Sequence, residues 1–133
     1  MREDGYEVVY LPVFHDGALL AIGDLHAAMG DGEAAGCGIE ISGCVTLKID
    51  VMKDKAFPTP MIEADGKIIT VASAASLDEA ADKSVGMMLD YMMNHCSFSS
   101  DLAWKCLSAM GEVKICQFAN KIKTVRCEMT KHI

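Results

Sequence analysis

Within residues 23–33 the chain reads GDLHAAMGDGE and places Asp24, His26, Asp31 and Glu33 among three glycines and two alanines. On an extended strand, residues two apart share a face. Asp24 and His26 would then converge as a carboxylate–imidazole pair, suited to a divalent metal or to a carboxylate orienting a catalytic imidazole. Asp31 and Glu33 repeat the spacing after Gly30, and two carboxylates so placed suit general acid–base work. The same letters also describe a solvated loop, since Asp and Gly are the commonest turn residues. Spacing leaves both readings open.

The remaining reactive residues carry blander readings. His15 beside a turn reads as a surface residue. His95 falls near the end of a helical stripe, where it meets the C-terminal dipole or the core. His132 lies in the tail. Cys37, in the string GCG, is a candidate nucleophile because its glycine neighbours expose it, but the sequence fixes no base beside it. The methionine-rich string MMLDYMM reads as core packing.

Seven of the eleven glycines fall between Gly17 and Gly43, which calls for tight turns or close backbone approaches there. The flanking segments read as strands. VVYLPVF (8–14) and ALLAIG (18–23) are separated by Asp16-Gly17, a pair favoured in two-residue hairpins. Pro12 places the first of them at an edge or a bulge. Asp65-Gly66 joins a second hairpin. Between the two, Val45, Leu47, Ile49 and Val51 alternate on one strand face, and the FPTP string ends that strand. Ser76-Leu77-Asp78-Glu79 is a capping box. It opens a helix with Leu77, Ala81, Val85, Met88, Met92 and His95 on one stripe, ending near residues 94–96. A shorter helix runs from residue 99 or 100 to Met110, before Gly111. VKICQFA and IKTVRCEM close the chain as strands. The order predicts an α+β class with β dominant.

Composition bounds the function. The 133 residues suit a single domain, 1–133, and 51% hydrophobic against 23% charged residues describe a globular chain. A net charge of −7 argues against nucleic acid or an anionic membrane as partner. No apolar run is long enough for a membrane span, and the first residues lack a secretory pattern. The six cysteines form no CxxC and read as reduced, mostly buried thiols of a cytoplasmic protein.

PVFHDGALLAIGDLHAAMGDGE followed by GCGIEISGCVTLKIDV resembles the acetamidase/formamidase family. PTPMIEADGKIITVASAASLDEAA and GEVKICQFANKIKTVRCEM extend the likeness from about Tyr10 to about Met129. The resemblance implies a jelly-roll-like β-sandwich portion with a helix pair. It also implies hydrolysis of the carbon–nitrogen bond of small linear amides, formamide or acetamide, to acid and ammonia. It implies a divalent metal, zinc by expectation, and an oligomer. Carried onto this sequence, the chemistry suggests Asp24 and His26 as metal ligands and Glu33 and Asp31 as catalytic carboxylates. Glu40 is a further, substrate-binding candidate. Family members are about twice this length, and the chain corresponds to their C-terminal half. Two readings follow: an amidase, alone, as a homo-oligomer or with a partner chain supplying the N-terminal half, or a non-catalytic fragment or module keeping the fold as a structural, oligomerisation or metal-binding unit.

Overall fold

The structure, a computed structural model, describes residues 6–53 and 57–132. In chain order the elements are β1 (Val8–Tyr10), β2 (His26–Ala28), β3 (Ile39–Glu40), β4 (Met61–Ala64), β5 (Lys67–Ala74), α1 (Leu77–His95), α2 (Ser100–Met110), β6 (Glu112–Gln117) and β7 (Lys123–Thr130). Five strands form one sheet in the order β1-β4-β5-β7-β6, and β2 pairs with β3 separately. Every pairing is antiparallel. The β-dominant α+β class is as the sequence implies.

Local chemistry explains the elements that form. Asp65 and Gly66 adopt φ of 52° and 72°, so Ala64 pairs directly with Lys67 across a two-residue turn. Ser76 caps α1 by accepting from the Glu79 backbone N–H at 3.2 Å, and Ser99 does the same for α2 through Leu102 at 3.3 Å. The helices cover one face of the sheet. Ile68, Thr70, Ala72 and Ala74 alternate into the core along β5, and Val125, Cys127 and Met129 do so along β7. Met88, Leu89, Met92, Ala103 and Leu107 meet them from the helices.

The buried side of α1 includes Met88 and Met92 of the predicted stripe but is completed by Ala80, Ser84 and Leu89, while Leu77, Ala81 and Val85 are only partly buried. Small residues let the helix approach the sheet closely. Ser84 satisfies its hydroxyl on the Ala81 carbonyl, and its own carbonyl accepts from the buried Thr70 hydroxyl at 2.7 Å. A pattern counting Ser as polar points the helix slightly wrong.

The region before residue 57 departs further from expectation. Asp16-Gly17 does turn, with Ala18 N–H on the His15 carbonyl. No ladder joins its flanks, however, and β1 pairs with β4 instead. Among the described residues, Val45, Leu47, Ile49 and Val51 have no strand partner and all are exposed. Alternation encodes a half-buried surface, and nothing in the described chain covers this one. The cysteines carry free thiols, as read from the sequence. Only Cys127 is buried, while Cys37, Cys44 and Cys96 are exposed.

The face opposite the helices carries a charge network. Glu128 has a side chain only 7% exposed and accepts from Lys67 at 2.7 Å, Lys114 at 2.9 Å and Arg126 Nε at 2.6 Å. Burial pushes its carboxyl up, but the three cationic donors outweigh that and bring it down to about 2. A carboxylate depressed in the folded state contributes stability above its unfolded pKa and loses it as the pH falls toward the folded value. Glu128→Gln is therefore expected to cost about 2 kcal/mol at neutral pH, since the cations reach solvent and soften the loss. Urea unfolding of the two proteins should show that gap closing as the pH drops from about 4.5 toward about 2. A gap independent of pH would contradict the assignment.

Candidate active site

His26 opens β2 and lies directly opposite Glu40 of β3, so the ladder itself brings imidazole and carboxylate together. His26 Nε2 is 3.1 Å from Glu40 Oε1 and 3.3 Å from Asp24 Oδ1. Asp24 does not reach the ring by sharing a strand face, as the i, i+2 spacing suggests. It precedes the strand in a left-handed conformation, φ 61°, which Asp tolerates better than most residues. Convergence is achieved, by a turn rather than a pleat.

Glycine shapes the other side of the ring. A Cβ on Gly38 would sit 2.7 Å from His26 Cγ and Nδ1, so only glycine lets the imidazole lie against this backbone. Just before it, Cys37 Sγ donates to Glu40 Oε1 at 3.2 Å. His26, Cys37 and Glu40 each offer a ligand atom within 4.8 Å of the others. Accepting from Cys37 and His26 lowers the Glu40 carboxyl, while the bond to Glu40 raises both His26 and the Cys37 thiol.

Glu33 arrives from the loop between β2 and β3. The loop is folded by turns, with Glu33 N–H on the Gly30 carbonyl at 3.1 Å and Gly36 N–H on the Glu33 carbonyl at 2.7 Å. Glu33 itself is left-handed at φ 42°, a conformation that costs a non-glycine residue and occurs most at functional sites. The Glu33 side chain is 8% exposed; its Oε1 lies 4.0 Å from His26 Nδ1 and its Oε2 accepts from Gln117 at 3.4 Å. Asp24 and Glu40 thus gather at one ring nitrogen and Glu33 at the other.

Asp31 takes a different partner. Its Oδ1 accepts from Arg126 at 2.8 Å, while the same guanidinium donates to Glu128. The Phe118 N–H also donates to the Gly32 carbonyl at 2.7 Å. Asp31 therefore fastens the loop to β7, and the structure gathers Asp24, His26, Glu33 and Glu40 without it. Gln117 and Arg126 were not legible as site residues, because nothing in their own strands marks them. Cys37 was read as a possible nucleophile, and its place beside Glu40 three residues on is the signal that links it to the cluster. His95 stacks on Tyr91, ring centroids 5.1 Å apart, far from this chemistry in the fold.

Among the described residues no helix is long and apolar enough to cross a membrane. The chain is 46% identical over 46 residues to an acetamidase of Mycolicibacterium smegmatis, a stretch covering 34% of this chain and 11% of that protein. It is 45% identical over 47 residues to a formamidase of Methylophilus methylotrophus, covering 35% and 12%. The crystal structure of an acetamidase from Bacillus halodurans superposes with a TM-score of 0.89 at 46% identity, over 95% of this chain and 43% of that one. The chain thus spans less than half the length of these relatives. Residues 4–114 match the acetamidase/formamidase family as a whole, and with this fold and this sequence likeness the chain belongs to that family.

Proposed function

We propose that the chain carries the metal-holding and acid–base portion of a hydrolase that cleaves the carbon–nitrogen bond of small linear amides, formamide or acetamide, to acid and ammonia. The observation that supports this most is the gathering of three carboxylates on the two nitrogens of one largely buried imidazole. The names of the acetamidase and formamidase relatives point to the same chemistry.

The donor set fits a divalent ion. Asp24 and His26 are its first ligands, and Glu40 lies at the same ring nitrogen. A bound ion, zinc by the presence of imidazole, would polarise the amide carbonyl and acidify a nearby water. The protein supplies the rest. Glu33, shielded from solvent and outside the Nε2 cluster, takes the proton from the attacking water. Water oxygen bonds to the carbonyl carbon, the carbon–nitrogen bond breaks, and Glu33 returns the proton to the departing nitrogen. Asp31 contributes through Arg126, which holds the loop that presents Glu33.

Two features argue that this site works under cover. The side chains of Asp24 and Glu40 are 80% and 59% exposed, so their charges act in water, where electrostatic effects are weak. Leu11, Val13, Phe14, Leu20, Ile22, Ile49 and Val51 are also exposed, large apolar side chains that the fold leaves in water. The portion of the family's length that this chain does not span is the natural cover. Whatever polypeptide carries it, that portion would complete the sandwich, with self-association filling the role in its absence. The second reading, a non-catalytic module, rests on the same exposure: by itself the chain is expected to bind metal weakly and turn over little amide.

Three experiments test these statements. His26→Ala is expected to lower bound zinc, read by elemental analysis, and to abolish formamide hydrolysis in the covered form. Glu33→Gln should keep the zinc and lose about 10²- to 10⁴-fold in turnover; unaltered turnover would remove Glu33 from proton transfer. Light scattering of the chain alone should show association at micromolar concentration, and a stable monomer would count against the need for cover.

A further inference from the structure

We infer that Cys37 is a ligand of the bound ion, so that the site is a mixed imidazole, thiolate and carboxylate centre built by His26, Cys37 and Glu40. The inference rests on the reading of the site as metal-binding and adds to it a residue and a chemical selectivity.

Three observations carry it. First, the donor atoms already stand at coordination spacing. Bonds of 2.0–2.3 Å to a tetrahedral ion separate its ligand atoms by about 3.3–3.8 Å. Glu40 Oε1 lies 3.1 Å from His26 Nε2 and 3.2 Å from Cys37 Sγ. All three donor atoms lie within 4.8 Å of one another, so a small adjustment of the exposed Cys37 and Glu40 side chains about the imidazole would turn two hydrogen bonds into three coordinate bonds. Second, the three come from a frame that fixes them relative to one another. His26 and Glu40 are cross-strand partners, and Cys37 sits three residues before Glu40 at the entry to β3. Third, the backbone between them is cut to the ring. Gly38, adjacent to Cys37, has its missing Cβ where the His26 imidazole lies, with 2.7 Å to two ring atoms. Any other residue there would push the imidazole off the Cys37–Glu40 arm.

The chemistry is balanced and simple. On coordination the Sγ–H proton passes to solvent, to which Cys37 is open, and the hydrogen bond to Glu40 is replaced by the bond to the ion. Glu33, 4.0 Å from Nδ1, stays outside the donor set and keeps the proton-transfer role proposed for it above. A thiolate in the set favours zinc, or cobalt as its spectroscopic substitute, over magnesium and calcium, which take oxygen ligands. Asp24, 3.3 Å from Nε2 and the most exposed of the group, stays in the donor set beside His26.

The test uses the full chain and Co(II) as probe. The wild-type protein is expected to show a near-ultraviolet thiolate-to-cobalt charge-transfer band that titrates to one ion per chain. Cys37→Ser should lose the band and bind Zn(II) by calorimetry about 100-fold more weakly, at least the upper effect of removing an outer-shell partner. Cys44→Ser, removing another exposed thiol, should keep both. Zn(II) should also protect Cys37 from iodoacetamide, read by peptide mass mapping, in unmutated protein whose folding is not in question. Stoichiometric cobalt binding without the band, or unprotected Cys37 in the zinc-loaded chain, overturns the thiolate ligand and leaves the metal reading standing. No bound ion in the wild type removes both.

Discussion

The candidate site depends on a seam joining two segments that lie 84 to 95 residues apart along the chain. On one side is the glycine-rich loop after β2, on the other the β6–β7 hairpin. Arg126 pairs with Asp31, Gln117 donates to Glu33, and the Phe118 N–H donates to the Gly32 carbonyl. The loop by itself has little to pack. Without the seam Glu33 would swing in solvent, at the entropy cost of ordering a loop rich in glycine each time it was needed. Arg126 in turn is held by the buried Glu128, whose other partners are Lys67 and Lys114. The position of the carboxylate proposed for proton transfer is therefore tied to a charge network in the sheet. A guanidinium suits the junction because its fixed fork binds two carboxylates at once without losing its charge.

What the sequence made legible follows from range. Asp65-Gly66 and the Ser76 capping box are decided within four residues, and both elements appear where their residues put them. The α2 boundaries and the two closing strands are local in the same sense. The site residues were legible as types, because four ionisable side chains among glycines are costly to explain otherwise. Their partners were not. Glu40 meets His26 through strand pairing, and Arg126 meets Asp31 across most of the chain. Neither spacing carries a signal that periodicity can read. Asp24 shows the limit from the other side, since the right residue arrives at the ring by a turn that the strand argument did not contain.

The strands that failed to pair are informative for the same reason. Val45, Leu47, Ile49 and Val51 keep an alternation that has meaning only against another surface, whereas Pro12 follows β1 at the edge of the five-stranded sheet, as its missing donor requires. Pattern reflects the surface a segment is built to cover. The five-stranded sheet with its helices satisfies its own pattern and builds a core of Ile68, Met88, Met92, Cys127 and Met129. The region carrying Asp24, His26 and Glu40 does not. Its ladder is only two and three residues long, well short of what holds a hairpin together unaided.

That contrast bears on how the chemistry is organised. A rigid sheet presents Glu33 through the seam, while the donors proposed for an ion stand on a short, exposed ladder whose own contacts are few. Binding an ion there would tie β2 to β3 at the pair His26 and Glu40, adding a cross-link where hydrogen bonds are scarcest. A covering surface would act in the same direction, since removing water from Asp24 and Glu40 strengthens every charge interaction they make. On the proposed reading, ion and cover would be coupled through the same two strands, each supplying in advance part of the ordering that the other requires. An acidic chain of net charge −7 with three carboxylates around one imidazole has good reason to use that coupling. Those carboxylates repel one another across a short ladder, and a cation held among them would relieve that repulsion.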